Sequence, residues 1–174
     1  MKIDSEEIFD VVDECDRIIG QAPRSKVHQE GLLHRAVHVF ATNPSEEIFL
    51  QRRALTKDVA PGLWSSSCSG HVDAGETYEQ ATLRELVEEI GLSLEPCELR
   101  LRLMASPCSA TENEFVRLYH CRANPPLRID PGEVMDGRWL TKAELEKRIQ
   151  SEPEAFSPSF LHLYAFDCLL IRES

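Results

Sequence analysis

The chain has 174 residues, and its 30 acidic and 19 basic side chains give a formal net charge of −11. With 42% hydrophobic and 28% charged residues, it has the composition of an ordinary globular protein, which excludes a fibrous or disordered chain. Nucleic-acid polymers and anionic membrane surfaces attract basic proteins, so the negative charge argues against both as partners. We therefore expect one domain over residues 1–174.

The predicted elements alternate between strands and helices. The N-terminal half is predicted to contain, in order, a small hairpin extension at about residues 8–20, a short helix at 25–30, strands at 34–42 and 48–53, and a loop at 55–70. The C-terminal half is predicted to contain a helix at about 77–90, strands at 99–105, 114–121 and 134–140, a helix that begins with the Thr141–Glu144 capping box, and a last helix at about 158–171. No strict strand–helix–strand period connects them, so we predict an α+β (α/β) fold with a mixed sheet sandwiched between helices.

Negative charge is concentrated in two segments. Residues 1–20 hold seven acidic and two basic side chains, and residues 70–92 hold six acidic and one basic. The first segment lacks the apolar core of a signal peptide, and no run of about 18 apolar residues occurs in the chain, so we expect a cytoplasmic protein without a membrane span. The six cysteines are scattered without a CxxC pair, which favours reduced thiols.

The helix predicted at 77–90 carries two distinct faces. A capping box of Thr77 and Gln80 begins it, and Gly91 ends it. At about 100° per residue, one face is apolar and consists of Leu83, Leu86, Val87 and Ile90. A separate face gathers the carboxylates of Glu85, Glu88 and Glu89. Such a cluster is either a solvated surface or a site for a hard cation such as Mg²⁺ or Mn²⁺, and the glycine-containing loop before the helix favours the cation.

The segment from Gly70 to Leu92 resembles the Nudix box, G-x5-E-x7-R-E-U-x-E-E-x-G-U, in which U is a bulky aliphatic residue. Every specified position matches. The resemblance implies the Nudix fold and metal-dependent cleavage of a diphosphate linkage in a nucleoside diphosphate joined to another group. By position it implies metal ligands at Glu85, Glu88, Glu89 and the Gly70 carbonyl, and a structural pair of Arg84 with Glu76.

A wider stretch, about residues 8–160, is similar to isopentenyl-diphosphate isomerase, a branch of the same superfamily. The similar segments include His34-Arg35-Ala36, Pro61-Gly62-Leu63-Trp64, Glu112-Asn113-Glu114 and Ala155-Phe156-Ser157-Pro158. By position, the resemblance implies diphosphate binding by Arg53 and Lys57. It also implies a second metal site composed of His28, His34, His71, Glu112 and Glu114. The spacing at His28 differs by one residue from that of the isomerase.

Three departures separate the chain from the isomerase. Ser69 stands where the isomerase has its catalytic cysteine, and Cys68 would face the other way in an extended segment. Glu154 stands where the isomerase has a tryptophan that stabilises a carbocation. The isomerase has a basic residue in place of Glu85, whereas the acidic face is complete here.

We therefore predict a metal-dependent hydrolase that acts on a small-molecule diphosphate, with Mg²⁺ (or Mn²⁺) as cofactor. The metal-binding glutamates would activate water, and Glu114 and Glu112 are the candidates for a further ligand or the general base. An isopentenyl-diphosphate isomerase and a non-catalytic Nudix-fold binding module stay open as alternatives. The sequence also leaves open a homodimer.

Overall fold

The structure is a computed structural model that describes residues 6–172, so the start of the acidic segment at 1–20 and the last two residues lie outside it. Within this range the chain forms nine strands: β1 (Ile8–Val12), β2 (Ile18–Pro23), β3 (His34–Thr42), β4 (Ile48–Arg53), β5 (Trp64–Ser65), β6 (Cys68–His71), β7 (Arg100–Ala105), β8 (Glu114–Arg122) and β9 (Val134–Leu140). The helices of the same range are α1 (Arg24–Glu30), α2 (Tyr78–Ile90), α3 (Lys142–Ser151) and α4 (Pro158–Arg172). None of the described helices combines the length and the apolar character that a membrane span requires.

A mixed seven-stranded sheet forms the centre, with the strand order β5-β4-β3-β8-β7, and with β6 paired to β3 and β9 paired to β4. β3 and β8 run parallel from the His34–Glu114 pair to the Thr42–Arg122 pair. β3 and β4 meet at Thr42 and Ile48 and then pair with different neighbours. β6 therefore lies beside β3, and its last residue, His71, reaches Glu114 at the start of β8.

Helices cover both faces of this sheet because successive side chains of β3 point to opposite sides. On one face, Phe40 packs with Leu145 of α3 and Leu163 of α4. On the other face, Val39 packs with Leu86 of α2. The predicted fold, a mixed sheet sandwiched between helices, is confirmed.

The segment predicted as a loop at 55–70 contains two short strands, β5 and β6, so the prediction is wrong for its second half. Ser65, at the end of β5, and Ser66 and Ser67, between the two strands, are almost fully buried. The Ser67 hydroxyl donates to the Phe49 carbonyl at 2.5 Å and accepts from the Ala41 N–H at 2.8 Å. A buried strand is usually recognised in a sequence by its alternating apolar residues. Here buried serines that form hydrogen bonds take the place of those apolar residues, so the pattern is missing.

α2 has the predicted caps, but its buried side differs from the predicted apolar face. The Thr77 side chain accepts from the Gln80 N–H, and Gly91 ends the helix in the left-handed conformation at φ 66°. Val87 is 49% exposed, whereas Glu89 is only 3% exposed. The buried side of α2 is therefore turned toward Glu89 relative to the predicted apolar face. Since a carboxylate enters a protein interior only with polar partners, this difference reflects contacts that Glu89 makes with other elements.

The hairpin of β1 and β2 is a separate two-stranded sheet that is fixed to the region around β6. Asp10 accepts from the Gly75 N–H at 3.0 Å, and Asp16 accepts from Arg35 Nε at 2.6 Å. Phe9, on β1, is fully buried. The hairpin therefore forms a wall beside the start of β3 and the end of β6.

Candidate active site

A cavity of about 530 Å³ lies between β6, α2, the loop after β4 and the turn before β8. This volume falls in the range of roughly 300–1,000 Å³ that is typical of small-molecule sites. Nine of the residues singled out from the sequence line it: Arg53, Lys57, Gly70, His71, Glu85, Glu88, Glu89, Glu112 and Glu114. The structure thus brings the Nudix-box helix, two cationic side chains and the Glu112-Asn113-Glu114 segment to one site.

Glu85 enters the cavity beside Gly70. A Cβ atom at position 70 would lie 2.1 Å from Cδ of Glu85, so a side chain there would displace the carboxylate. Burial, together with the neighbouring charge of Glu89, raises the pKa of Glu85 to about 8. A raised pKa is characteristic of a buried carboxylate beside a like charge, and a cation bound between the two would favour their ionised form.

Glu89 is held in the interior by polar groups from two strands. Its Oε2 atom accepts from the Ser69 N–H and from Nε2 of Gln51, both at 3.0 Å. Burial raises the pKa of this carboxyl group. Gln51 was missed in the sequence because nothing local marks a glutamine of β4 as the partner of a helix 38 residues away.

Arg84 supplies positive charge to the outer part of the acidic cluster. Its Nε and Nη2 atoms bind the two oxygens of Glu76 at 3.0 and 2.9 Å, and Nη2 also donates to the His71 carbonyl at 3.0 Å. Its Nη1 atom lies 2.6 Å from Glu85 and 3.3 Å from Glu88. Arg84 therefore connects β6 to α2 and partly neutralises two of the three clustered glutamates.

Three histidines from different elements converge at the other side of Gly70. One ring nitrogen from each of His28 (α1), His34 (β3) and His71 (β6) lies within 4.8 Å of the others. Nδ1 of His34 donates to the Leu32 carbonyl at 2.9 Å, which leaves Nε2 as an acceptor. The Nε2 atoms of His28 and His34 are buried without a hydrogen-bond partner in the described chain. Unpartnered imidazole nitrogens fixed by a backbone carbonyl are suited to binding a metal ion.

Glu114 contributes a carboxylate to the histidines. Its Oε1 atom lies 3.1 Å from Nε2 of His71 and 3.5 Å from Nε2 of His34. Burial opposes its ionisation, but the two histidines that face it hold the pKa of Glu114 well below its usual range. This carboxylate is therefore ionised near neutral pH.

Glu112 lies beside Glu114 in a strained turn. Glu112 and Asn113 have φ angles of 53° and 65°, a conformation that non-glycine residues rarely adopt. Such residues cost about 1–3 kcal/mol each and are concentrated at functional sites. Burial and the charge of Glu114 raise the pKa of Glu112, so the two carboxyl groups have pKa values shifted in opposite directions.

The two cationic side chains suggested for phosphate binding are positioned by the loop after β4. Nε of Arg53 donates to the Val59 carbonyl at 2.9 Å, and its Nη1 lies 3.5 Å from the Ser69 hydroxyl. Lys57 pairs with Glu133. Both line the cavity with the acidic residues of α2, so the cavity presents both signs of charge.

Phe9 and Arg24 also belong to this region, although no motif in the sequence marked them. The Phe9 ring stacks on His34 and His71, with centroid distances of 5.6 and 4.5 Å. Arg24 binds Asp58 through Nη2 at 2.9 Å, and its Nη1 lies 3.4 Å from Nδ1 of His71. They are long-range contacts between the hairpin region and the remaining site, which periodicity within one segment does not reveal.

Cys68 and Ser69 face different sides of β6, as their alternation predicts. Cys68 is fully buried in the core beneath α2, and burial raises the pKa of its thiol well above the usual value. Ser69 lines the cavity. Within the described chain, no cysteine is among the residues that line the cavity.

Glu154, which stands where the isomerase has a tryptophan, lies outside the cavity. It is exposed in a short 3-10 turn (Pro153–Ala155) and does not line the cavity. The residues of this region that do line it are Ser157 and Ser159, at the start of α4.

Comparisons with known proteins agree with this geometry. The model of the NUDIX domain family matches residues 32–160, and the chain therefore belongs to the Nudix family. An isopentenyl-diphosphate Delta-isomerase from Photorhabdus laumondii is 33% identical over 160 residues, which cover 89% of each chain. An uncharacterised Nudix hydrolase from Streptomyces coelicolor is 38% identical over 161 residues, 92% of this chain and 88% of that one.

Among solved structures, a Deinococcus radiodurans protein superposes with a TM-score of 0.73 at 30% identity, over 84% of this chain and 90% of that one. A solution structure of the same protein is described as a hypothetical Nudix protein. The resemblance to the Nudix superfamily and to its isomerase branch is confirmed. The family supports a hydrolase of diphosphate-containing compounds, while named relatives include both hydrolases and isomerases.

Proposed function

We propose that the chain is a hydrolase that cleaves a diphosphate linkage in a nucleoside-diphosphate-type substrate with metal-activated water. One observation carries this proposal: the cavity gathers the carboxylates of α2 and the cations Arg53 and Lys57, with Ser69 in the place expected for a thiol. Carboxylates and cations are what diphosphate hydrolysis needs. The acid–base chemistry of the isomerase, by resemblance, needs the cysteine.

The donors on α2 fit a divalent cation. Glu85, Glu88 and Glu89, with the Gly70 carbonyl, offer the oxygen ligands that Mg²⁺ and Mn²⁺ prefer. The absence of a Cβ at Gly70 leaves the room that the Glu85 carboxylate occupies. When bound, the metal would neutralise the diphosphate and lower the pKa of a water molecule.

The remaining roles fall to residues around the diphosphate. Arg53 and Lys57 bind phosphate oxygens, the former through its planar fork and the latter as a point charge. Burial and the charge of Glu114 raise the pKa of Glu112, which is the direction that favours a proton acceptor, while the pKa of Glu114 is lowered. We assign Glu112 as the general base and Glu114 as the orienting carboxylate, which refines the expectation from the sequence.

A second cation would be held by His28, His34, His71 and Glu114, with Glu112 at its edge. Buried unpartnered nitrogens support this assignment. Imidazole donors suit first-row transition ions such as Mn²⁺ or Zn²⁺ better than they suit Mg²⁺. The two sites would thus differ in the metal that each prefers.

The histidine site also favours one alternative, an isopentenyl-diphosphate isomerase. Its residues match that branch by position, and several curated relatives carry that name. Ser69 would then have to replace the cysteine, although a hydroxyl group is a far weaker acid than a thiol.

Product analysis separates the candidates. The purified protein is incubated with Mg²⁺ or Mn²⁺ and either a panel of nucleoside diphosphate derivatives or isopentenyl diphosphate, and released phosphate, nucleoside monophosphate and isomer are scored. We expect hydrolysis in wild type that is lost in Glu89→Gln and retained in Glu146→Gln, a glutamate of α3 remote from the cavity. Isomer formation without phosphate release would overturn the proposal, and metal-dependent binding without turnover would favour a binding module.

A further inference from the structure

The cavity has a second end, away from α2, where small hydroxyl side chains form its wall. Ser65, Ser157 and Ser159 line it there. The hydroxyls of Ser65 and Ser157 lie 3.1 Å apart, and those of Ser157 and Ser159 lie 3.4 Å apart. Ser65 and Ser157 are 1% and 2% exposed. Ser65 and Ser157 are therefore buried hydroxyl groups that bond to each other, and the half-buried Ser159 continues this chain.

His38 joins this wall from the central sheet. It lies on the same face of β3 as His34, because four residues along a strand restore the direction of the side chain. It lines the cavity, is buried, and its Nδ1 lies 2.7 Å from the Ser66 hydroxyl. Burial lowers its pKa to about 4, so the ring is neutral. Its Nε2 atom makes no hydrogen bond within residues 6–172, which leaves one polar atom for a bound molecule.

The apolar part of the cavity wall is small. It consists of Ala36, Val59, Ala60 and Ala110, and no phenylalanine, tyrosine or tryptophan of the described chain lines the cavity. A hydrocarbon chain placed here would leave Nε2 of His38 without a hydrogen-bond partner, which disfavours its binding. A nucleobase would find no aromatic side chain to stack on. A group that carries its own hydroxyls could bond to Nε2 of His38 and to the Ser159 hydroxyl, whose contact within the described chain is with Ser157.

We propose that this end of the cavity is a hydroxyl-binding subsite, in which His38 and Ser159 bind a sugar or polyol that is joined to the diphosphate, while Ser157 holds the Ser159 hydroxyl in place. The inference rests on the proposed function, since that function places the diphosphate between α2 and Arg53. The subsite restricts the expected substrates to diphosphates that carry a hydroxylated group, and it disfavours isoprenoid diphosphates. The hydroxylated group is either the ribose of a nucleoside diphosphate or a free sugar or polyol, which share this chemistry.

Binding tests the subsite independently of turnover. Calorimetry in Mg²⁺ compares two methylenediphosphonate monoesters, with a 2,3-dihydroxypropyl and a propyl group. We expect the dihydroxypropyl ester to bind wild type about tenfold or more tightly, because a site built for hydrogen bonds discriminates against an analogue without them. His38→Leu and Ser159→Ala reduce this ratio to about threefold or less. Ser151→Ala, on α3 and outside the cavity, leaves the ratio unchanged.

Equal or tighter binding of the propyl ester, or an unchanged ratio in both variants, would overturn the subsite. If His38→Leu does not fold, the ratio of the two affinities in wild type and in Ser159→Ala still tests the subsite. If the dihydroxypropyl ester binds more tightly but no diphosphate is hydrolysed, the hydrolase proposal fails and the subsite stands. If diphosphates are hydrolysed but the two esters bind equally, the hydrolase proposal stands and the subsite fails. Adenosine methylenediphosphonate identifies the source: tighter binding than the dihydroxypropyl ester indicates a nucleoside ribose, and weaker binding indicates a free sugar or polyol.

Discussion

The acidic face of α2 (Glu85, Glu88, Glu89) and the histidine cluster (His28, His34, His71) line adjacent parts of one site but are built differently. The acidic face comes from five consecutive residues of one helix, whereas the cluster is assembled from α1, β3 and β6. Arg84 lies 2.6 Å from Glu85, while two nitrogens of the cluster are buried without a partner. Clustered like charges need compensation as soon as the chain folds, but a neutral imidazole left unpaired costs only a hydrogen bond.

The acidic face carries the largest expected effect if it is the catalytic centre. Glu89→Gln keeps the size of the side chain and removes its charge, so we expect kcat/KM for diphosphate hydrolysis to fall by at least about 100-fold, since even outer-shell partners of a metal contribute up to that much. Glu146→Gln serves as the matched control. Retention of a tenth of the wild-type activity would show that the acidic face is not the centre of the reaction.

The histidine cluster is expected to dominate binding of transition ions. In protein stripped of metal with EDTA, His34→Ala weakens Mn²⁺ binding by about tenfold or more, measured by calorimetry, because it removes one of three converging nitrogens. His162→Ala, on α4 and outside the cluster, provides the comparison. Identical Mn²⁺ isotherms for His34→Ala and wild type would leave the cluster without a metal role.

The acidic face of α2 has a counter-charge within the chain, Arg84, and the contribution of that counter-charge to stability can be measured in metal-free protein. Arg84→Ala leaves Glu76, Glu85 and Glu88 without their counter-charge, and we expect urea unfolding to show a loss of about 1–3 kcal/mol, less than a fully buried pair because the side chain is 26% exposed. Arg122→Ala, at a surface pair with Glu46, is the control and changes stability little. Added Mg²⁺ should restore part of the loss, and equal stability of the two variants would contradict this role.

His38 shares a face of β3 with His34 but has a folded pKa of about 4, below the ordinary value of 6.5. The unfolded chain therefore binds more protons between these values, so the stability from a neutral His38 is present above pH 6.5 and is lost as the pH falls toward 4. By pH 5 the loss amounts to about 1–2 kcal/mol. Urea unfolding at pH 7 and pH 5 should show a smaller difference for His38→Asn than for wild type, and an equal difference would refute it.

Local patterns predicted those parts of the site that lie within one segment. The caps of α2 and the clustering of its glutamates follow from helical spacing and the capping box, and both are present. The burial of Glu89 depends on Gln51 of β4 and Ser69 of β6, and no local pattern encodes such contacts between elements. β5 and β6 escaped prediction for a related reason, because the segment between them is held by Ser67, a buried serine that bonds to β3 and β4.

The histidines show the complementary case. As isolated residues they carried no signal, and their grouping in the sequence came only from the resemblance to the isomerase. The structure brings the three together, including His28 with its shifted spacing, because α1 places it opposite His34 and His71. Glu154, a departure from the isomerase in the sequence, lies in an exposed 3-10 turn outside the cavity.

The stacking of Phe9 on the cluster joins the N-terminal hairpin to the central sheet through the rings of His34 and His71. An ion held by the three histidines would therefore fasten α1, β3 and β6 together, and fix in place the hairpin that packs on them. A ligand that binds only the folded chain adds about 2.7 kcal/mol at a concentration 100 times its Kd. A transition metal present in traces would then stabilise the hairpin, α1, β3 and β6 together. The melting temperature of the protein would rise with the concentration of that metal in the buffer.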